Sequence, residues 1–153
     1  MPTRSTSETW SVGGELPALS KSLTQEKIDA YARASGDFNP IHVDPAFAAG
    51  TFFGGTIAHG MLLLAYLSEM LTAAFGRAWL AGGRLKVRFK GVARPGDTVT
   101  VRGKVERVQD EGRRPDADAR SGRPSGRLFA AVECVNQEGQ VLVAGEAEVR
   151  LDG

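Results

Sequence analysis

Residues 57–75 constrain the fold of this chain more than any other part of the sequence. They are apolar on nearly every face of a helix, and Gly76 follows them as a stop signal. Because a helix that is apolar all round is normally buried all round, other parts of the chain must cover it on every side. The segment therefore predicts a central helix enclosed by the rest of the domain.

The segments after this helix alternate with a period of two, as strands with one buried face do. Leu85, Val87 and Phe89 alternate with basic residues, and a second apolar series follows a turn at residues 94–97. Residues 128–135 and 141–151 read as another pair, joined by turn residues 136–139. We expect each pair to be antiparallel strands joined by its own turn. A sheet curling around the central helix makes this an α+β domain.

Shorter signals place the elements before the central helix. Thr24, followed by Gln and Glu, predicts a helix over about residues 24–34, and Gly36 predicts its end. Asp44 followed by Pro predicts an N-cap and a short helical turn over residues 45–49. The loop between residues 35 and 44 is therefore framed by two helices.

Length and composition indicate one domain. The chain has 153 residues and 42% hydrophobic content, which suits a single core. We expect one domain over residues 1–153, with residues 1–10 flexible. Residues 109–126 are rich in Arg, Asp, Gly and Pro, and they predict a charged loop insertion.

Charge and apolar runs argue against two classes of partner. A formal net charge of +1 provides no global field for a nucleic acid. The longest apolar run, residues 61–67, is too short to cross a membrane. The single cysteine, Cys134, and a polar N-terminus without a secretory pattern favour a cytoplasmic location.

Asp37 and His42 are the candidate acid and base. They lie five positions apart on a loop stiffened by glycine and proline. An ionised carboxylate and a neutral imidazole can hold one water, remove its proton and return a proton to carbon. The alternative is a helix cap and an ordinary loop hydrogen bond.

Three further residues lie at the start of the central helix or within it. His59 and Gly60 open the helix, where the first backbone N–H groups have no intrahelical partner and are available to an oxyanion. The alternatives are a core histidine and a glycine that is merely small. Ser68 is a polar residue among apolar ones, so it either bonds back to the Leu64 carbonyl or touches the site.

A basic strand is open to two interpretations. Arg84, Lys86, Arg88 and Lys90 would share one face of a strand. That face is either solvated or a dock for a nucleotide phosphate.

Two strings in the sequence resemble a known family. Ser-Gly-Asp-x-Asn-Pro-x-His at residues 35–42 and Ile-Ala-His-Gly-Met-Leu at residues 57–62 are similar to the signature of the MaoC-like, R-specific enoyl-CoA hydratases, also called hydratase 2. With the downstream strands, the resemblance covers roughly residues 20–151. It implies a hot-dog fold, in which a curled antiparallel sheet wraps a long helix, usually as a homodimer or higher homo-oligomer.

The resemblance also implies roles for individual residues. Asp37 and His42 match the catalytic pair, and Gly60 matches the backbone of the oxyanion hole. Ser68 matches a serine near the thioester, and Asn39 a motif residue that supports loop geometry. The expected oxyanion-hole and substrate-binding set is therefore Gly60, Ser68, Asn39 and His59.

The implied reaction is reversible syn hydration of a trans-2-enoyl thioester to the (3R)-hydroxyacyl thioester. It uses no metal and no redox cofactor; coenzyme A or phosphopantetheine enters as part of the substrate. The partner is thus an acyl-CoA or an acyl carrier protein, and in the latter case the protein is a (3R)-hydroxyacyl dehydratase of fatty-acid elongation. Two alternatives stay open: a non-catalytic acyl-binding hot-dog subunit and a hot-dog thioesterase.

Overall fold

A computed structural model describes residues 10–110 and 126–151 of the chain. Within these residues, five strands and five helices are defined. The strands are β1 (Leu19–Ser22), β2 (Arg84–Phe89), β3 (Thr98–Asp110), β4 (Gly126–Val135) and β5 (Val141–Arg150). The helices are α1 (Gln25–Ser35), α2 (Pro40–Val43), α3 (Pro45–Ala49), α4 (Gly60–Phe75) and α5 (Arg77–Gly82).

The five strands form one antiparallel sheet in the order β1-β3-β4-β5-β2. Helix α4 packs against it: Leu63, Leu67 and Leu71 are buried in the same cluster as Val101 and Leu128 of the sheet. The expectation that α4 is covered on every side is wrong, because Met61, Ala65, Glu69 and Ala73 form an exposed face and the core covers only the other side of the helix. A sheet laid around a central helix is the hot-dog arrangement, so the predicted fold is confirmed.

The predicted helix signals before α4 are confirmed. The Thr24 side chain accepts a hydrogen bond from the backbone N–H of Lys27, and Gly36 ends α1 with φ at 77°. The Asp44 side chain caps α3 at Phe47 N. Short-range rules sufficed here because each cap is made within four residues of the chain.

Helix α4 begins at Gly60 with His59 as its N-cap, as predicted. The first residues of the apolar segment, Ile57 and Ala58, precede the helix. Two backbone N–H groups ahead of it have partners elsewhere: Ile57 N donates to Ile41 O and Ala58 N to Ala93 O. These long-range bonds fix the backbone of the segment that leads into α4.

The predicted pairing of the first two strands after α4 is wrong. The turn at residues 94–97 is present, but β2 pairs with β5 and lies at the opposite edge of the sheet from β1. Charge gives a reason: Arg84 and Lys86 lie opposite Glu148 and Glu146. Strand β3 is itself basic in its middle part, so pairing it with β2 would place like charges opposite each other.

Three elements were not predicted, namely β1, α2 and α5. Each is short, and a periodic pattern cannot develop over four to six residues.

Residues 109, 110 and 126, which the sequence places in the charged loop, belong to β3 and β4. The rest of that loop and residues 1–9 lie outside the described residues. No helix in the described ranges is both long and apolar enough to cross a membrane.

A single glycine allows β5 to approach β2. A Cβ atom on Gly145 would lie 2.0 Å from the Lys86 carbonyl oxygen and 2.7 Å from the Val87 Cα. Both are backbone atoms, so the strand itself would have to move. We expect Gly145→Ala to lower the free energy of unfolding by about 3 kcal/mol, measured by urea denaturation.

The matched control for Gly145→Ala is Gly82→Ala, since a Cβ at Gly82 meets nothing within 4 Å. We expect Gly82→Ala to change the unfolding free energy by less than about 1 kcal/mol. Equal midpoints for the two variants would contradict the close approach of β2 and β5.

Candidate active site

Two segments of the chain meet at the site. One runs from Gly36, where α1 ends, to His42 in α2, and the other is residues 56–60, which lead into α4. Asn39 shapes the first segment: its N–H donates to Asp37 Oδ1 and its Oδ1 accepts from Ile41 N, both at 3.1 Å. Asn39 thus caps α2 and fixes the direction of the loop between the two titratable residues.

Asp37 and His42 lie side by side. His42 Nε2 is 3.9 Å from Asp37 Oδ2, which is too long for a direct hydrogen bond. The Asp37 side chain is 54% exposed and that of His42 is 12% exposed. The pair therefore combines an accessible carboxylate with a mostly enclosed imidazole.

The tautomer of His42 follows from its other ring nitrogen. Nδ1 lies 2.8 Å from the carbonyl oxygen of Ile57. A carbonyl can only accept, so in the neutral ring Nδ1 carries the hydrogen and Nε2 carries the lone pair. Nε2 and the ionised Asp37 Oδ2 are then two acceptors, and a water oxygen about 2.8 Å from each could donate one hydrogen to each. The gap between them suits one water.

His59 lies beneath this pair. It is 2% exposed, and its ring stacks on His42 with centroids 3.8 Å apart and an interplanar angle of 27°. His59 Nε2 lies 3.0 Å from the Asp37 backbone carbonyl, and Tyr31 contacts the ring edge-on. Its Nδ1 has no hydrogen-bond partner among the described residues. His59 supports both members of the pair from the buried side.

The same three side chains form the one candidate metal cluster in the described part of the chain. One ligand atom each from Asp37, His42 and His59 lies within 4.8 Å of the others. The stacking of the two rings works against a shared ion, because lone pairs in nearly parallel planes do not converge on one point. Water activation fits the geometry better than metal ligation.

Gly60 begins α4 directly after His59. Within the described residues, Leu62 N donates to His59 O, whereas the N–H groups of Gly60 and Met61 have no backbone acceptor. The ring of Phe89 packs against Gly60, and a Cβ there would lie 2.8 Å from Phe89 Cε1. These free donors at a helix N-terminus suit a developing oxyanion.

A cavity of about 420 Å³ is lined in part by Phe89, the residue that packs against Gly60. Phe52, Phe53 and Phe89 form its aromatic wall, and Lys90 and Arg94 contribute two cations. Of the four predicted basic-strand residues, only Lys90 lines it; Arg84 and Lys86 are exposed opposite glutamates of β5. The cavity therefore offers an apolar surface and positive charge beside Gly60.

The structure does not place Ser68 with the other predicted site residues. Eight residues of helix separate it from Gly60, which corresponds to about 12 Å along the axis. Its Oγ accepts a hydrogen bond from Trp79 Nε1 at 2.9 Å. The sequence analysis expected Ser68 to bond to the Leu64 carbonyl or to touch the site, and the observed partner is neither of these. Its predicted place near the thioester stays a prediction.

Cys134 is excluded as a nucleophile. It is fully buried, and burial raises the pKa of its thiol to about 11. The thiol is therefore protonated near neutral pH, whereas a nucleophilic cysteine requires the thiolate.

Two residues at the site were missed by the sequence analysis. In the sequence, Gln25 is only part of a helix-start signal, and nothing marks Thr56 as a functional residue. Thr56 Oγ1 donates to Gln25 Oε1 at 2.6 Å, and Gln25 Nε2 donates to the backbone carbonyl of His42 at 2.8 Å. No local pattern could have indicated this contact, because its members are far apart in sequence.

The fold and the site define a hot-dog domain with a carboxylate and an imidazole beside the N-terminus of its central helix. The sequence model of the family described as "MaoC like domain" matches residues 11–122, well over half of the chain. The chain belongs to this MaoC-like family.

Named relatives fall into two groups. An (R)-specific enoyl-CoA hydratase from Aeromonas caviae is 35% identical over 139 residues, covering 90% of this chain and 93% of that protein. A 3-hydroxyacyl-thioester dehydratase Z from Mycobacterium tuberculosis is 38% identical over 94 residues, covering 59% of this chain and 62% of that protein.

A solved structure agrees with the first group. The (R)-hydratase from A. caviae involved in PHA biosynthesis has a TM-score of 0.68 and 33% identity, covering 94% of this chain and 98% of that one.

Proposed function

We propose that this protein is a hydro-lyase that adds water reversibly to trans-2-enoyl-CoA and forms the (3R)-3-hydroxyacyl thioester. The observation that carries the proposal is the pair of acceptors, Asp37 Oδ2 and His42 Nε2, 3.9 Å apart. His59 stacks on His42 and directly precedes Gly60, so it brings the free N–H groups of α4 close to this pair. The hydratase name of the A. caviae relative supports the same reaction.

The proposed chemistry uses each group once. Asp37 and His42 hold a water, and His42 Nε2 takes one of its protons as the oxygen bonds to the β-carbon. The π electrons of the double bond move toward the thioester, whose oxygen becomes an enolate held by the Gly60 N–H. The proton on His42 then passes to the α-carbon and restores the thioester. Addition of both groups from one side gives the syn product.

The substrate carrier is the second part of the proposal. We favour coenzyme A, with the cavity beside Phe89 receiving its pantetheine arm and with no other cofactor. The alternative is a (3R)-hydroxyacyl dehydratase acting on a carrier protein. The name of the M. tuberculosis relative supports the dehydratase direction and does not specify the carrier.

The test is the loss of enoyl absorbance when purified protein is mixed with trans-2-butenoyl-CoA, followed by chiral analysis of the product. We expect rapid loss of absorbance and the (3R)-hydroxy product. A (3S) product would contradict the proposed geometry. Turnover only of carrier-bound substrate would select the dehydratase.

Two other results would replace the proposal. Release of free coenzyme A with no loss of the double bond would identify a thioesterase. No reaction with short, long or carrier-bound enoyl substrates would identify a non-catalytic acyl-binding subunit.

We also propose that the protein is a homo-oligomer, most simply a dimer, in the cytoplasm. Large apolar side chains are exposed near the site: Phe38 is 58%, Met61 57% and Phe52 100% exposed. Strand β2 leaves one edge of the sheet open beside them. A second copy would cover these surfaces, and light scattering after size exclusion measures the mass directly.

A further inference from the structure

Gln25 makes a set of hydrogen bonds that determines the orientation of its amide. Nε2 donates to Asp29 Oδ1 and to the backbone carbonyl of His42, both at 2.8 Å. Oε1 accepts from the hydroxyl of Thr56 at 2.6 Å. A carbonyl, and a carboxylate when ionised, can only accept, so the NH₂ group must face Asp29 and His42. One side chain thus joins α1, α2 and the segment that leads into α4.

These hydrogen bonds belong to a closed network that includes His42. Its backbone carbonyl is held by Gln25, and Gln25 is held by Thr56. Its imidazole donates to the carbonyl of Ile57, the residue that follows Thr56. Both ends of His42 are therefore tied to the same two-residue segment, and Thr56 is itself only 8% exposed.

We propose that Gln25 and Thr56 are positioning residues that fix the direction of His42 Nε2 toward Asp37 and its water. This inference rests on the proposed function, since it assigns the two residues to that reaction. Neither touches the reacting atoms. The ring bond to Ile57 sets the tautomer of His42, and the bond from Gln25 sets the backbone from which the ring projects.

The geometry makes the proposed reaction sensitive to small shifts of the His42 imidazole. Nε2 and Oδ2 are separated by 3.9 Å, so one water contacts both only within a narrow range of positions. A displacement on the order of 1 Å in such a site can lower a rate about 10²-fold. Losing the bond from Gln25 to the His42 backbone leaves the bond from the imidazole to Ile57 in place. We therefore expect a loss of rate smaller than about 10²-fold.

The test compares Thr56→Val, which keeps the shape but removes the hydroxyl, with Thr56→Ser, which keeps the hydroxyl. We expect Thr56→Val and Gln25→Leu each to lower kcat for butenoyl-CoA hydration about 10-fold, with KM changed less than about two-fold. Thr56→Ser should restore most of the loss. The double variant should be little worse than either single one, because both remove the same bond.

Thr51→Val is the matched control. Thr51 is a part-buried threonine of the same loop, and its hydroxyl donates to Ala48 O rather than to Gln25. We expect its kcat to be within about two-fold of the parent. If Thr56→Val also retains parental kcat, or if Thr56→Ser falls as far as Thr56→Val, the proposal is overturned.

A second readout does not depend on turnover. The chain has two histidines, so long-range ¹H–¹⁵N spectra of the imidazoles report the tautomers of His42 and His59 directly. We expect His42 to be protonated at Nδ1 in both the parent and Thr56→Val, since the bond to Ile57 stays in place, but with its imidazole resonances displaced and broadened in Thr56→Val because the ring is held less firmly in one orientation. An unchanged spectrum would overturn the positioning role. If the parent has no hydratase activity but Thr56→Val still shows this spectral change, the proposed function is overturned, whereas the positioning of His42 by Gln25 and Thr56 is supported.

Discussion

Replacing Asp37 by Asn, or His42 by Ala, is expected to lower kcat for enoyl-thioester hydration by about 10²-fold or more. The two side chains offer a pair of acceptors, 3.9 Å apart, to a single water. An amide at position 37 would direct an NH₂ or a weaker acceptor at that water. An alanine at position 42 removes the base altogether.

The fold should survive both changes. The Asp37 side chain is 54% exposed, and an Asn there keeps an oxygen for the N–H of Asn39. His42→Ala loses the ring contact with His59 and the bond to Ile57, which together justify a check by circular dichroism and thermal unfolding. Neither residue belongs to the buried hydrophobic core.

The combined variant distinguishes a pair from two independent groups. If both side chains act on the same water, Asp37→Asn with His42→Ala should be little slower than the weaker single variant. Asp44→Asn is the control, because Asp44 caps α3 in the neighbouring loop and Asn also caps well. Near-parental activity of either single variant would remove the assignment of the pair.

The caps and the central helix were predictable because their causes are local. Gly36 ends α1 through its own φ of 77°, and Asp44 caps α3 three residues away. The burial of the core-facing side of α4 followed from composition, but its exposed face did not. The partner of β2 was not predictable from its turn, since the choice depends on Glu146 and Glu148, some sixty residues along the chain.

The candidate site was predictable in part for the same reason. Asp37 and His42 are close in sequence, and a loop of five residues can bring them together. The stack of His42 on His59 and the bond from Thr56 to Gln25 join residues 17 and 31 positions apart. Such contacts depend on how α1, α2 and α4 pack. The partner of Ser68 was not predictable either, since Trp79 lies on α5, a helix without a sequence signal.

Substituting Gly60 by Ala is expected to lower kcat/KM about 10²-fold with little change in stability. The added methyl would stand at the N-terminus of α4, where the N–H groups of Gly60 and Met61 have no backbone acceptor and, in the proposed reaction, receive the thioester oxygen. Alanine keeps the backbone N–H, but a methyl that keeps the thioester oxygen away from it has the effect of losing one oxyanion donor, which costs about 10²-fold or more. The methyl would also contact the Phe89 ring at 2.8 Å, but this ring is 53% exposed and can move aside.

Gly60 therefore has two possible reasons to be small, and a second substitution separates them. In Phe89→Ala the ring is gone, so a methyl at position 60 meets no side chain from β2. If Gly60 serves only to accommodate Phe89, then Gly60→Ala in the Phe89→Ala background should be as active as Phe89→Ala alone. We expect instead that the loss of about 10²-fold persists, measured as kcat/KM for butenoyl-CoA against the Phe89→Ala parent. Persistence would mean that the methyl obstructs the thioester itself, which is the expected behaviour of an oxyanion hole built on backbone N–H groups.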